Sequence, residues 1–406
     1  MNAPALTPTL RRRLGLPLLL LYGVGITVGA GIYVLIGAVA GHAGRSAPWA
    51  FALAAAAMAL TVGSYAELAT RFPVSAGEAA YVRAAMKSRA ASTAVGLVTL
   101  AIGIVASATV ALGAAGYIGE YVALPRGVIA AAVLIALGAV AAWGILESVL
   151  IASLFTLIEV GGLVIVIAAG VSAGVPAVAV LTTPPPLEPA VLSGIGTASL
   201  LAFFAFIGFE DLANVVEEAK MPHRDIPRAM VGTLIVSTLL YLLVAAIAVA
   251  AVPPAALAAS PAPLALVMRT LTGASPLVVS LIAIVATLNT ILAQLSMAAR
   301  VIYGLARQND LPAALGAVHG RTGTPLIATA LVVAATLVLA LTVPFERLAE
   351  GTSLATLAVF ATVNLSLLRL RARREHSPHP HAHVPLWVPA AGLATCVAMI
   401  ALAVVP

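Results

Sequence analysis

The chain has 406 residues, of which 62% are hydrophobic and only 9% are charged, and its mean hydropathy is +1.11. No soluble core could enclose that much apolar surface, so the composition excludes a soluble globular protein and predicts a polytopic protein of the lipid bilayer. The net charge is +6, but the basic residues are spread between the apolar runs rather than gathered in one patch, which argues against a nucleic-acid partner. The single cysteine, Cys396, excludes an internal disulfide.

Apolar runs punctuated by charges and prolines predict eleven membrane spans. Between Arg13 and His42 there is no Asp, Glu, Lys or Arg, a run long enough to cross about 30 Å of hydrocarbon. A cleaved signal peptide is the alternative, but its apolar region is only about 7 to 15 residues long. The predicted spans are 16–40, 48–70, 91–118, 125–143, 147–170, 192–215, 228–252, 276–306, 324–342, 347–369 and 384–405.

The basic residues predict the orientation of these spans. With a cytoplasmic N-terminus, 17 of the 21 Lys and Arg residues fall on the cytoplasmic side, as the positive-inside rule requires. The four exceptions are Arg45, Arg126, Arg269 and Arg347. We therefore expect a multi-pass protein of the plasma membrane with a cytoplasmic N-terminus and an outside C-terminus.

Two of the predicted helices are interrupted near their middle. The first carries GVGITVGAG at residues 23–31, and the sixth carries Gly208 followed by Glu210 and Asp211. Ionised groups and unsatisfied backbone each cost several kcal/mol in hydrocarbon, so such breaks survive where they line a cavity. Interrupted helices in corresponding positions of two halves are typical of a transporter with its binding site at the membrane midplane.

The two breaks divide the chain into two halves of five spans. The first half covers residues 16–170 and the second covers residues 192–369, and both belong to one transmembrane domain. Because five is odd, the second half must enter the membrane from the opposite side, so the repeat is predicted to be inverted. The span at 384–405 is then a peripheral eleventh helix.

The first break predicts a receptor for the headgroup of an amino acid. A broken helix exposes free N–H groups at one new end and free carbonyls at the other. The N–H groups of Ala30 and Gly31 can receive a carboxylate, and carbonyls near Thr27 can accept an ammonium. Gly29 and Gly31 allow a ligand to approach the backbone closely. The alternative is that these glycines serve helix packing.

The second break predicts the opposite wall of the same receptor. Gly208 interrupts the helix and leaves free carbonyls at Phe204 and Ile207, which together with the first break predict a receptor for a zwitterion. The aromatic ring of Phe204 could close over a bound substrate, or it could be ordinary packing. Glu210 beside the break is a candidate for substrate binding or proton transfer.

The eighth span predicts a polar stripe. Thr287, Thr290 and Gln294 recur at helical spacing, with Asn289 beside them. Asn289 and Gln294 are candidates to line the side-chain pocket. Hydrogen bonding between helices is the alternative for the whole stripe.

Glu159 lies midway along the fifth span, in a helix without Lys, Arg or His. An ionisable residue inside the membrane is a functional candidate by default. We predict that it carries a coupling proton; bound sodium and a purely structural acid are the alternatives. Thr156 and Gly162 flank it and allow another helix to approach.

The connections carry weaker signals. Prolines at 184–186 and 253–263 predict extended loops. Four histidines could bind a metal, but no cysteine or carboxylate pattern supports this, so no metal or cofactor is predicted. These histidines are His376, His379, His381 and His383.

Several stretches together resemble the amino acid-polyamine-organocation superfamily of permeases, over roughly residues 10–400. They are GVGITVGAGIYVLIG at 23–37, SYAELATRFPVSAGEAAYVR at 64–83, FFAFIGFEDLANVVEEAKMPHRDIPRAM at 203–230 and AARVIYGLARQNDLP at 298–312. The stretch at 348–371 is closest to the cationic amino acid transporter branch. The resemblance implies an all-α fold of the LeuT type, a five-plus-five inverted repeat whose first and sixth helices are unwound at the midplane.

The resemblance also implies roles for residues of both breaks. It places the backbone of Thr27, Ala30 and Gly31 on the substrate headgroup, with Phe204 and Ile207 opposite. Phe204 is then an aromatic lid, and Glu210 is a gating or proton-linked acid. Two features depart from the superfamily pattern. Eleven spans replace the common twelve, and Glu159 stands where many relatives carry a lysine.

The sequence therefore predicts a secondary active transporter for amino acids, working by alternating access and driven by protons rather than sodium, or by exchange. The alternatives are a polyamine or amine antiporter and a non-transporting amino acid sensor of the same fold. No H-E-x-x-H pattern is present, and G-x-S-x-G occurs only as GVSAG at 170–174, which follows an apolar membrane span rather than a strand and lies beside no base, so no enzyme activity is predicted.

Overall fold

A computed structural model describes residues 14–73, 77–143, 149–307, 310–374 and 382–404. Among these residues nearly everything is helical, and an isolated bridge between Leu14 and Ala219 is the sole β pairing. Arg11 to Arg13 and three histidines of the predicted tract lie outside the described residues, as do the ends of two predicted spans. The histidines are His376, His379 and His381, and the spans are 147–170 and 384–405.

Every predicted span overlaps a helix. In chain order the helices are α1 Leu16–Val28, α2 Gly31–Ala43, α3 Ala47–Arg71, α4 Gly77–Met86, α5 Arg89–Gly119, α6 Arg126–Trp143, α7 Val149–Ser172, α8 Ala177–Thr182, α9 Pro189–Phe204, α10 Pro222–Ala251, α11 Pro254–Ala259, α12 Pro263–Thr272, α13 Leu277–Arg307, α14 Leu326–Thr342, α15 Phe345–Ala372 and α16 Trp387–Val404. Eight helical segments of the described chain are long and apolar enough to cross a membrane, and α1, α14 and α16 are shorter apolar helices.

The prediction of an extended loop at 253–263 is wrong. Two short helices, α11 and α12, begin there at Pro254 and Pro263. Proline is well tolerated at the first position of a helix, because its missing N–H would have no partner there and its φ is already helical. Proline clusters therefore mark helix starts here as well as turns.

The structure confirms both predicted breaks. Helix α1 ends at Val28, Gly29 adopts φ +22° and ψ −132°, and α2 begins at Gly31. Helix α9 ends at Phe204, and Gly208 adopts φ +132° before a short 3-10 turn at Phe209–Ala213. Both glycines hold backbone conformations that residues with a side chain rarely adopt.

Helix packing brings the two breaks together. Helix α1 packs against α7 and α10, while α2 packs against α9, and α3 packs against both α9 and α10. On the other side, α5 and α13 form an extensive contact. The architecture is an all-helical polytopic membrane fold. The inverted relation of residues 16–170 to 192–369, with 384–405 peripheral, stays a prediction.

Candidate functional site

Small residues allow the two breaks to touch. A Cβ atom on Gly31 would lie 2.6 Å from Cα of Ala205, and one on Gly208 would lie 2.7 Å from Cγ2 of Ile26. Real Cβ atoms do not approach other atoms so closely, so any larger residue would force the breaks apart. The sequence predicted that Gly31 leaves space for a ligand. Its missing side chain instead leaves space for the second break.

A cavity with an empty volume of about 310 Å³, its opening included, lies between the breaks. Its walls come from α1, α2, α5, the α9 break and α13. It is lined by Ile26, Thr27, Ala30, Gly31, Ala106, Val110, Phe204, Ile207, Thr290 and Gln294. The structure thus brings six of the predicted substrate residues to one cavity: Thr27, Ala30, Gly31, Phe204, Ile207 and Gln294.

Two polar atoms of this cavity are buried without a partner. Within the described part of the chain, the Oγ1 atom of Thr27 and the Oε1 atom of Gln294 accept or donate no hydrogen bond. Buried polar atoms in folded proteins are nearly always hydrogen-bonded, because leaving one unpaired costs about 1–3 kcal/mol. A polar ligand in the cavity would satisfy both atoms.

The start of α2 supplies a site for a negative charge. No side chain caps the first turn of this helix at Ala30 and Gly31. Free N–H groups at a helix N-terminus and the helix dipole both favour an anion. A carboxylate in the cavity would therefore find donors at α2, beside the hydroxyl of Thr27.

Tyr241 of α10 joins the two breaks, and sequence reasoning missed it. Its buried hydroxyl lies 2.7 Å from the carbonyl oxygens of both Thr27 and Ala205. The ring of Phe206 packs against it at 4.9 Å between ring centroids. The one hydroxyl proton is shared between two carbonyls, so the Thr27 carbonyl predicted for an ammonium already has a donor. The only sequence signal was a tyrosine amid an apolar span.

We expect Tyr241→Phe to loosen the contact between the breaks. Removing the hydroxyl leaves two buried carbonyls without their donor, which destabilises a protein by about 1–3 kcal/mol. Melting temperature and substrate affinity should both fall, measured by thermal unfolding in detergent with and without ligand. Tyr303→Phe is the control, because it loses the same atom, and Tyr303 lies about 14 Å along α13 from the cavity-lining residue Gln294. Equal melting curves for both variants would contradict the bridging role.

Glu210 does not line the cavity, contrary to the prediction. It is half-buried, and its Oε2 atom accepts a hydrogen bond of 2.8 Å from the N–H group of Gly208. The carboxylate thus satisfies a backbone donor that the break exposes. Gly208 and Gly29 also lie outside the cavity lining; the missing side chain of Gly29 faces the Oγ1 atom of Thr290 at 2.9 Å.

Asn289 was predicted as a pocket residue, and the structure shows the alternative. Its amide group donates a 3.3 Å hydrogen bond to Oε1 of Glu159 on α7. Thr287 bonds back to its own helix through the carbonyl of Ile284 at 2.8 Å. Only Thr290 and Gln294 of the polar stripe line the cavity.

Glu159 is completely buried behind the first break. Besides Asn289, the residue engages Tyr33 of α2, whose hydroxyl donates to the Glu159 backbone carbonyl at 2.5 Å. One turn earlier, Thr156 donates to the Leu21 carbonyl of α1 at 3.1 Å. The Oε2 atom of Glu159 has no hydrogen-bond partner among the described residues. A buried carboxyl group with an unpaired oxygen is thus bound to α13, on a helix turn whose backbone and neighbouring threonine bind α2 and α1.

Comparison with known proteins shows which family this chain belongs to. A family model described as "Amino acid permease" matches residues 14–406. The chain belongs to the amino acid permease family. The superfamily resemblance is thereby confirmed, and this permease is an amino acid transporter.

Curated relatives of this permease cover most of its chain. The branched-chain amino acid permease BcaP of Bacillus subtilis is 28% identical over an alignment of 389 residues, gaps included, which covers 89% of this chain and 82% of the relative. The mitochondrial cationic amino acid transporter 3 of Arabidopsis thaliana is 29% identical over 89% of this permease, which spans 63% of that relative. An uncharacterised transporter of Mycobacterium tuberculosis is 32% identical over 89% of this permease and 81% of its own length.

Proposed function

We propose that this amino acid transporter works by alternating access around the cavity between the two helix breaks. The observation that carries the proposal is the pair of unpaired buried atoms, Oγ1 of Thr27 and Oε1 of Gln294, beside the uncapped start of α2. A carboxylate and an ammonium group are the partners that these donors and acceptors fit. The proposal places the protein in the plasma membrane with its N-terminus in the cytoplasm.

We propose neutral amino acids with apolar side chains as the substrates. Ile26, Ala106, Val110, Phe204 and Ile207 form the apolar part of the cavity, and no charged side chain lines it among the described residues. A cationic side chain would be buried there without a counter-charge, which is costly. The branched-chain permease among the relatives fits this lining better than the cationic transporters do.

Proton coupling through Glu159 completes the proposal. The backbone carbonyl of Glu159 accepts a hydrogen bond from Tyr33 of α2, and Thr156 one turn earlier donates to α1, so movement of the first break changes the surroundings of Glu159. A proton shifts a conformational equilibrium when its affinity differs between the two states. Glu210 is a weaker candidate because it already accepts a backbone N–H bond.

Uptake into proteoliposomes tests the proposal. Radiolabelled L-leucine should enter vesicles of the purified protein and accumulate under an inward proton gradient, while L-arginine should compete poorly. Preloading the vesicles with unlabelled leucine separates exchange from net import. Transport of arginine or of an amine in preference to leucine would overturn the substrate assignment, and binding without flux would indicate a sensor.

We expect Phe204→Leu to weaken substrate affinity. Phe204 lines the cavity, and an aromatic face over a substrate ammonium is worth about 0.5–2 kcal/mol, or roughly two- to thirtyfold in affinity. The matched control is Phe203→Leu, because Phe203 is also buried but packs against Phe360 at 5.9 Å and does not line the cavity. Equal affinities for the two variants, measured as KM for leucine, would show that Phe204 only packs and does not contact the substrate.

A further inference from the structure

A second cavity lies on the same two helices as the candidate site, about one to two helical turns away. Ala30 and Gly31 of α2 and Val110 of α5 line the first cavity. Val34 and Gly37 of α2, and Gly113 of α5, line the second, which has an empty volume of about 800 Å³ with its opening included. We call this second cavity the vestibule. Its lining is completed by Ala38, Arg126, Ala258, Ala259, Ser260, Pro261, Pro344, Phe345 and Glu346.

Helices α2 and α5 touch at Val34 and Gly113, next to the residues of the same helices that line the first cavity. A Cβ atom on Gly113 would collide with both Cγ atoms of Val34, so α2 and α5 meet here in close contact. Movement of α2 away from α5 at this point would open the way between the two cavities.

The vestibule carries two opposite charges, whereas the candidate site carries none. Arg126, at the start of α6, is held in place by two contacts. Its Nε donates to the Leu112 carbonyl at 2.9 Å, and its guanidinium carbon lies 5.7 Å from the centre of the Phe345 ring. The terminal amino groups of a guanidinium so oriented can bind a carboxylate with two parallel hydrogen bonds. Glu346 lines the same cavity and attracts a cation.

We propose that the vestibule is a second, weaker binding site for zwitterionic amino acids, in which Arg126 takes the carboxylate and Glu346 takes the ammonium group. This inference rests on the proposed function, since both sites serve the same substrates. An inorganic anion would satisfy Arg126 alone, and a simple amine would satisfy Glu346 alone. Only a ligand with both charges uses both residues. Because the vestibule is open to water, the site captures substrate without holding it tightly.

The vestibule is tested by removing each of its two charges and measuring uptake with leucine supplied from one side of the membrane at a time. Arg126→Gln and Glu346→Gln should each raise KM for radiolabelled L-leucine by about two- to fivefold, as expected for solvent-exposed charge pairs, with the maximal rate unchanged. The increase should appear only when leucine is supplied from the vestibule side, which the predicted topology makes the outside. Right-side-out and inside-out vesicles compare the two sides. Raising salt should increase KM of the wild type more than that of the variants.

Arg347→Gln is the matched control. Arg347 is next to Glu346 in sequence, its side chain is 77% exposed, and it pairs with Glu350 at 3.2 Å outside the vestibule. The same charge change there should leave KM unaltered. Arg126→Gln also removes the hydrogen bond to the Leu112 carbonyl and could therefore fold poorly. In that case Glu346→Gln alone decides the test.

Three results would overturn the inference. Wild-type KM for Glu346→Gln from the vestibule side would exclude a role for its charge. An equal increase from both sides would indicate a general structural effect rather than capture. A wild-type protein that moves no amino acid would overturn the proposed function together with the vestibule, and this failure is visible before any variant is made.

Discussion

Gly208→Ala should reduce leucine uptake per folded molecule by a factor on the order of ten or more. The added methyl group would meet Cγ2 of Ile26 at 2.7 Å and the backbone carbonyl atoms of Ile26 at 3.0 Å. Alanine also resists φ +132°, and such strain costs about 1–3 kcal/mol. A tenfold rate change needs only about 1.4 kcal/mol. The two breaks would therefore separate, and the cavity between them would lose its shape.

Gly196→Ala in α9, the helix that precedes this break, is the control for this change. A Cβ atom at Gly196 meets nothing within 4 Å, so alanine there should leave uptake intact and favour the helix by up to about 1 kcal/mol. Size-exclusion chromatography of both variants separates loss of folding from loss of transport. Equal uptake by the Gly208→Ala and Gly196→Ala proteins would show that the breaks do not need this close approach.

The two breaks could be predicted from the sequence, because glycines and paired carboxylates are unfavourable in the middle of an apolar membrane helix. Thr27, Ala30 and Gly31 on one side, and Phe204 and Ile207 on the other, follow from helix-end chemistry once the breaks are recognised. The structure places all five on one cavity. Local residue chemistry was therefore sufficient to predict which residues of the two breaks lie around one cavity.

Contacts between residues far apart in the chain could not be predicted from the sequence. Asn289 precedes Thr290 by one residue, but one residue turns a helix by about 100°, so the two side chains face different neighbours. Thr290 faces the cavity and Asn289 faces Glu159, 130 residues away in sequence. Tyr241 likewise needs the packing of α10 to reach Thr27 and Ala205. Periodicity shows which residues share a face, but not what that face meets.

Glu159→Gln should retain leucine binding but lose the dependence of transport on the proton gradient. The Oε1 atom of the glutamine would still accept from Asn289, and its amide group would stand where Oε2 of Glu159 is buried without a partner. The variant therefore imitates the protonated carboxyl group. An unpaired buried charge is far more costly than a neutral group, so gain and loss of this proton can favour different arrangements of α1 and α2.

Uptake across a series of proton gradients, with and without sodium, measures this effect. Glu210→Gln is the control, since glutamine can still accept the N–H bond of Gly208, and this variant should keep the gradient dependence of the wild type. Loss of sodium dependence rather than proton dependence in Glu159→Gln would indicate that the carboxylate, with Thr156 beside it, binds a cation. If Glu159→Gln transports with undiminished proton dependence and without sodium, the coupling group lies elsewhere, and Glu210 becomes the residue to test.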